Sequence, residues 1–243
     1  MHVDALAVRL RPRTSTEAVD LGIRLCQSAR PSVYRCYFAV AIPVMVLALA
    51  STEVAGWLGS ILIWWLKPWL DRPILFVLSR AAFGQETTLG DLWRAQWTVC
   101  WKPLLFSITV RRFSLWRSLT EPVYLLEGGS ALGSGSRIRQ IRNRVAGSAL
   151  MMTQAFVAAE MAVSIAFFSL IFWLAPSGQT PDLGAFMRGE IEGVLGVANV
   201  IAYMMAVLFV EPFYVAAGFG MYLNRRAELE AWDIEQEFRR VFR

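Results

Sequence analysis

Two acids stand inside otherwise apolar stretches: Glu160 in Ala158-Ala159-Glu160-Met161-Ala162, and Glu211 in Phe209-Val210-Glu211-Pro212-Phe213. A carboxylate at bilayer depth is costly by several kcal/mol unless it is paired, protonated or set against a cavity. Such a group can serve as a proton or ion site, as a polar lock between helices, or as a contact for a lipid headgroup. Equally, each glutamate can pair with an arginine or lysine of a neighbouring helix and only fix the geometry of the bundle. A second charged cluster lies in Trp64-Trp65-Leu66-Lys67-Pro68-Trp69-Leu70-Asp71-Arg72-Pro73. On a continuous helix Lys67 and Asp71 share a face and can pair. The alternative for Lys67 is to snorkel to the headgroups beside the tryptophans. Glu121 joins the set through a near-copy, since Thr120-Glu121-Pro122-Val123-Tyr124-Leu125 reads alongside Val210-Glu211-Pro212-Phe213-Tyr214-Val215. Proline frees a backbone acceptor, and broken helices near ion or substrate sites exploit this. The repeated acid–proline–x–tyrosine is either a trace of internal two-fold duplication or coincidence. Lys67, Asp71, Arg72, Glu121, Glu160 and Glu211 thus form a candidate intramembrane polar site.

Other chemistry has little material. The single histidine is His2, so a histidine metal site or a Ser–His or Cys–His nucleophile is not expected. Cys26, Cys36 and Cys100 are unequally spaced, with no Cys-x-x-Cys, and read as small packing residues. Gly128-Gly129 and Gly133-x-Gly135 lack a preceding strand and a Lys-Ser/Thr, so they are no phosphate cradle. Arg137, Arg139, Arg142 and Arg144 have no interleaved aromatics for base stacking, so no nucleic-acid partner is expected. No enzyme activity and no cofactor are expected either.

The elements that must position these residues follow from hydropathy. Hydrophobic residues make up 56% of the 243-residue chain and charged ones 18%, with a mean hydropathy of +0.45, which leaves too little polar surface for a water-soluble fold. The expected class is an all-α, polytopic helical membrane protein. Residues 1–32 read as a cytoplasmic amphipathic segment, with a short helix from about Ser15 that Pro31 ends or kinks. Residues 33–83 hold transmembrane helices one and two, the second with a broken end where two prolines and three charges crowd Lys67–Pro73. About 37 charged and polar residues precede the first apolar run, too many for a cleaved signal, so it reads as a retained span.

Residues 84–146 read as a cytoplasmic or interfacial region. Trp93 to Val110 is apolar but interrupted, and Gly128–Ser136 is a flexible linker. Residues 147–221 hold helices three and four, and 222–243 a charged cytoplasmic helix. The count is four crossings, or six if 74–83 and 95–110 insert. The net charge of +5 comes mainly from arginines in the N-terminal segment, the 84–146 region and the tail, whereas the 175–193 loop is acidic. The positive-inside rule then puts both termini in the cytoplasm.

Several stretches resemble a family of bacterial inner-membrane proteins without an assigned activity. They are Leu10-Arg11-Pro12-Arg13 with Glu17–Gly22, Trp64–Pro68 with Asp71-Arg72, Val77–Ala81 with Phe83-Gly84, Glu211–Phe219, and Tyr222–Arg226 with Glu228–Asp233. That family is similar to proteins encoded beside MoxR-type ATPases and transglutaminase-like membrane proteins. It is more distantly like the membrane domain of glycerophosphodiester phosphodiesterases. The resemblance implies a fold and a genomic setting rather than a reaction. The expected function is a non-enzymatic scaffold or assembly subunit of a bacterial envelope complex, with membrane lipids and a homo-oligomer or hetero-complex as partners. The alternative is a transporter or lipid-handling protein whose buried carboxylates face a polar cavity.

Overall fold

The computed structural model describes residues 12–101, 114–127, 135–174 and 193–230, with isolated positions at 104, 108, 109, 182, 184, 185 and 188. The protein is an all-helical membrane protein, with eight α-helices among the described residues: α1 (Ser15–Ser28), α2 (Arg30–Ser51), α3 (Leu58–Ala81), α4 (Leu89–Gln96), α5 (Arg117–Leu126), α6 (Gly135–Arg142), α7 (Ala146–Leu174) and α8 (Gly193–Glu230). Helices α2, α7 and α8 are long and apolar enough to cross a membrane. At 24 residues α3 has the length, but it carries Lys67, Asp71, Arg72 and Arg80.

The local chemistry sets the helix ends. Thr14 caps α1 by accepting from the Glu17 backbone N–H. As expected, the first helix ends ahead of Pro31, at Ser28, and Pro31 sits in the first turn of α2, where no intrahelical N–H is needed. Thr88 and Asp91 close a reciprocal capping box on α4. Gly84, at φ 69°, takes the left-handed position after α3, and the Gln85 N–H returns to the Arg80 carbonyl.

Three expectations need correction. The helical backbone is not broken at Lys67–Pro73: α3 runs through Pro68 and Pro73. Each proline forfeits one i→i−4 bond, but both rings are buried against neighbouring helices, and the intervening charges are held by ion pairs. Residues 74–81 consequently continue α3, with 82–84 the turn after it, and the 74–83 run is no separate helix. Nor is the tail a separate helix from Tyr222, because α8 runs unbroken to Glu230. Residues 231–243 and the linker positions 128–134 lie outside the described residues.

Helix α8 is the axis of the molecule. It packs against α1, α2, α3, α5 and α7, and α2 and α3 form a hairpin beside it. The N-terminal helix does not lie free on a surface: its Ala18–Gly22 face is pressed onto Ala216, Ala217 and Gly220 of α8. Small residues let two helix backbones approach closely, the usual packing solution in a membrane. A Cβ on Gly22 would collide with the Ala216 carbonyl oxygen, and one on Gly220 with that of Ala18. The Arg13 backbone N–H donates to Asn224 Oδ1 (2.8 Å), and Asn224 Nδ2 donates back to the Arg13 carbonyl (2.9 Å).

Helix α4 passes into a π turn, Trp97–Trp101, and Trp93, Trp97 and Trp101 stand exposed at four-residue spacing. The carbonyls at the end of this segment are taken by α3: Trp69 Nε1 donates to Cys100 (2.8 Å) and Arg72 Nη1 to Val99 (3.4 Å). A cation beside terminal carbonyls is also favoured by the helix dipole.

Candidate functional site

The middle of α3 gathers charges from three other helices. Lys67 Nζ contacts Glu160 Oε2 of α7 and lies 2.7 Å from Glu211 Oε2 of α8. On the other side of Glu211, Arg117 Nη2 of α5 donates to Oε1 at 2.8 Å. Arg117 Nε then stands 2.7 Å from Asp71 Oδ2, at ion-pair distance though without hydrogen-bond alignment. The result is a chain of alternating charge, Glu160–Lys67–Glu211–Arg117–Asp71. Behind it Arg72 Nη2 meets Glu121 Oε1 at 2.9 Å. The Asp71, Glu121 and Glu211 side chains are each 1% exposed, so water does not screen these contacts.

All six residues singled out from the sequence fall in this one cluster, but their pairing differs from the expected one. Lys67 and Asp71 share α3 yet do not pair; each turns to a partner on another helix, because both faces are buried between α5, α7 and α8. Lys67 does not snorkel outward either, as two carboxylates hold its ammonium inside. The two Glu-Pro motifs play parallel parts, Glu121 taking Arg72 and Glu211 taking Lys67. Their helices are unlike, 10 residues against 38, so the likeness is one of role.

Sequence reasoning missed Arg117, the group that joins Glu211 to Asp71. Its flanks, Trp116-Arg117-Ser118, look like any headgroup arginine. The available signal was its position four residues before Glu121-Pro122. Its guanidinium also lies 5.4 Å from the Tyr214 ring centroid.

Beside the chain opens a cavity of about 580 Å³. Lys67, Arg117, Glu160 and Glu211 form its charged floor, so Glu160 and Glu211 meet the same space; Asp71, Arg72 and Glu121 lie behind it. The rim differs in character. Ile61, Trp64, Leu115, Val157 and Met161 line the cavity and are themselves exposed apolar side chains. The mouth therefore opens between α3 and α7 through an apolar stretch of surface. The Ser60 hydroxyl on the cavity wall has no hydrogen-bond partner among the described residues, and Tyr203 reaches Glu160 from α8. Volume and lining fall within the range of small-molecule sites, which are mostly apolar with a few convergent polar groups.

A second, peripheral charge cluster ties α5, α6 and the end of α8. Arg137 Nε donates to Glu127 Oε2 (2.8 Å) and its Nη2 contacts Glu230. The Tyr222 hydroxyl donates to Glu127 Oε1 (2.8 Å). Partial burial pushes the Glu127 carboxyl up, but hydrogen bonds from Arg137 and Tyr222 outweigh it and hold Glu127 below the usual carboxylate range.

Among the described residues no cluster of His, Cys, Asp and Glu is arranged to hold a metal ion. Fold and site define a helical membrane protein with a buried ion chain beside a laterally open cavity. Compared with known proteins, the chain matches no family model, no curated protein and no solved structure.

Proposed function

We propose that this protein binds an amphipathic membrane molecule, a lipid or lipid-like compound, with its polar head on the charged floor and its apolar part leaving between α3 and α7. The observation that carries this reading is the cavity with a charged floor and an exposed apolar rim. A scaffold subunit would use the ion chain as a lock between helices, and that accounts for the buried pairs. It does not account for an opening that brings Glu160 and Lys67 to the edge of the apolar surface. Binding, transfer or transport of such a molecule is the function class, without covalent chemistry.

The placement that goes with it is a bacterial inner membrane, with α3 crossing as a fourth span and both termini in the cytoplasm. Glu160 stands at the midpoint of the 29-residue α7. A helix of that length reaches about 43 Å, beyond a hydrocarbon core of about 30 Å, so the cavity would lie near mid-membrane. Reporter fusions at residue 1, at the 52–53 turn, in the 175–193 loop and at residue 243 test the topology. Opposite locations for the two termini would exclude an even number of crossings.

The binding reading is tested by native mass spectrometry of protein purified in mild detergent. The wild type is expected to retain about one lipid-sized molecule per chain, by the usual one-ligand stoichiometry of a single pocket. Val157→Trp, which fills the mouth, is expected to lose it. Equal retention by both would sink the reading.

A further inference from the structure

Resting on that reading, we infer that the ligand's head carries a positive charge: the cavity takes the amine or quaternary ammonium group of a membrane amphiphile, seated at Glu160.

The first argument is charge order. The chain Glu160–Lys67–Glu211–Arg117–Asp71 begins and ends on a carboxylate and contains two cations against three acids. Both cations are already spent within it. Lys67 is shared between Glu160 and Glu211, and Arg117 between Glu211 and Asp71. An incoming anion would have to pull one of them from a buried carboxylate and leave that carboxylate unpaired in low dielectric. An incoming cation meets the surplus acid instead. Of the two terminal carboxylates, only Glu160 lines the cavity; Asp71 is sealed behind Arg117.

The second argument is the wall. Trp64, Phe156, Tyr203 and Tyr214 line the same cavity as Glu160. A carboxylate among aromatic rings is the arrangement that holds alkylammonium groups, through charge and through the negative ring faces. Arg117 already lies over the Tyr214 ring, Phe156 packs edge-on against Tyr214 and Trp64 packs against Trp65, so the rings of this wall brace one another beside Glu160. A proton on one of the three acids is the competing way to balance the charge, and it predicts a different result.

The test uses three single-chain amphiphiles with the same dodecyl tail: dodecyltrimethylammonium, dodecyl maltoside and dodecyl sulfate. Each is titrated below its micellar concentration onto the full chain in lipid nanodiscs. The cationic probe is expected to bind at least tenfold more tightly than the other two. Glu160→Gln leaves two cations against two acids and is expected to bring the cationic probe level with the maltoside. Should that variant fail to fold, the ranking of the three probes on the wild type decides alone. A maltoside or sulfate as tight as the ammonium overturns the inference and leaves the amphiphile site standing; this is also the outcome that protonation predicts. Binding of all three probes unchanged in Val157→Trp overturns the site itself, and the inference with it.

Discussion

Arg117 holds two carboxylates at once, and its geometry explains why a lysine would not serve. Its Nε edge faces Asp71 and its Nη2 faces Glu211, so one planar group spans two acids on different helices. Removing it leaves Asp71 without its cation and Glu211 with Lys67 alone, and losing one partner of a buried pair costs about 3–5 kcal/mol. Arg117→Leu is therefore expected to lower the thermal midpoint in detergent far more than truncation of a surface arginine does. Arg117→Lys is expected to fall between wild type and Arg117→Leu, since a single ammonium satisfies one acid well. Adding Asp71→Asn to Arg117→Leu should recover part of the loss, because the orphaned charge is then gone. A double-mutant cycle on these two positions measures the coupling, and strict additivity would mean that the short Asp71–Arg117 distance carries no energy. At Gly22 the residue-scale constraint is steric. Gly22→Leu has no room against the Ala216 backbone and is expected to destabilise by about 1–3 kcal/mol or more, the range for over-packing. Gly147→Leu, where nothing stands within 4 Å of a Cβ, is the control.

Helices that sit in lipid gain little from burying leucine against leucine, so close packing and polar contacts decide how they associate. This explains what was legible at the level of elements and what was not. The apolar runs from Tyr34, Gly147 and Val194 announce α2, α7 and α8, because length and hydropathy are set by the bilayer. The continuity of α3 was hidden, since two prolines and three charges look like an end when their partners on other helices are unseen. The seat of α1 was hidden for a different reason. Its contact is made by Ala18 and Gly22, which contribute almost nothing to an amphipathic pattern, while the more conspicuous Leu21 and Ile23 stay half-exposed. The interrupted stretch from Trp93 has the composition of an interfacial segment, and its tryptophans stand exposed at four-residue spacing. If they lie at the headgroup level, replacing Trp93, Trp97 and Trp101 together by alanine should remove most tryptophan quenching by lipids brominated near the headgroup. The quenching by deeply brominated lipids should persist, and an unchanged shallow signal would place the stripe elsewhere.

On the scale of the whole molecule the charges fall into two groups with different surroundings. The inner chain was half legible: Glu160 and Glu211 stand out because an acid in an apolar run needs a reason, and Lys67, Asp71 and Arg72 for the same cause. Which acid meets which base was not legible, because pairing depends on how α3, α5, α7 and α8 are rotated against one another. The peripheral cluster of Glu127, Arg137, Tyr222, Arg226 and Glu230 was not anticipated at all, as its members look like ordinary solvated charges. These two groups should respond differently to the solvent. The inner chain is at most 13% exposed and meets only the cavity, so added salt should move it little, whereas the peripheral pairs are 16–27% exposed and should weaken as salt screens them. Acid gives the sharper test. The folded-state value of Glu127 lies below that of the free side chain, so its contribution is fully present above the ordinary glutamate range. That contribution disappears as pH falls through the depressed value. Arg137 stays charged throughout, so the loss is that of its carboxylate partner, and α6 should then loosen from the end of α8. Amide hydrogen exchange across 135–142, corrected for the intrinsic pH dependence, is expected to quicken only once the pH has fallen below the ordinary glutamate range. Glu127→Gln should show the quicker exchange already at neutral pH and no further step on acidification. A step that persists in Glu127→Gln would show that Glu127 does not carry the acid response.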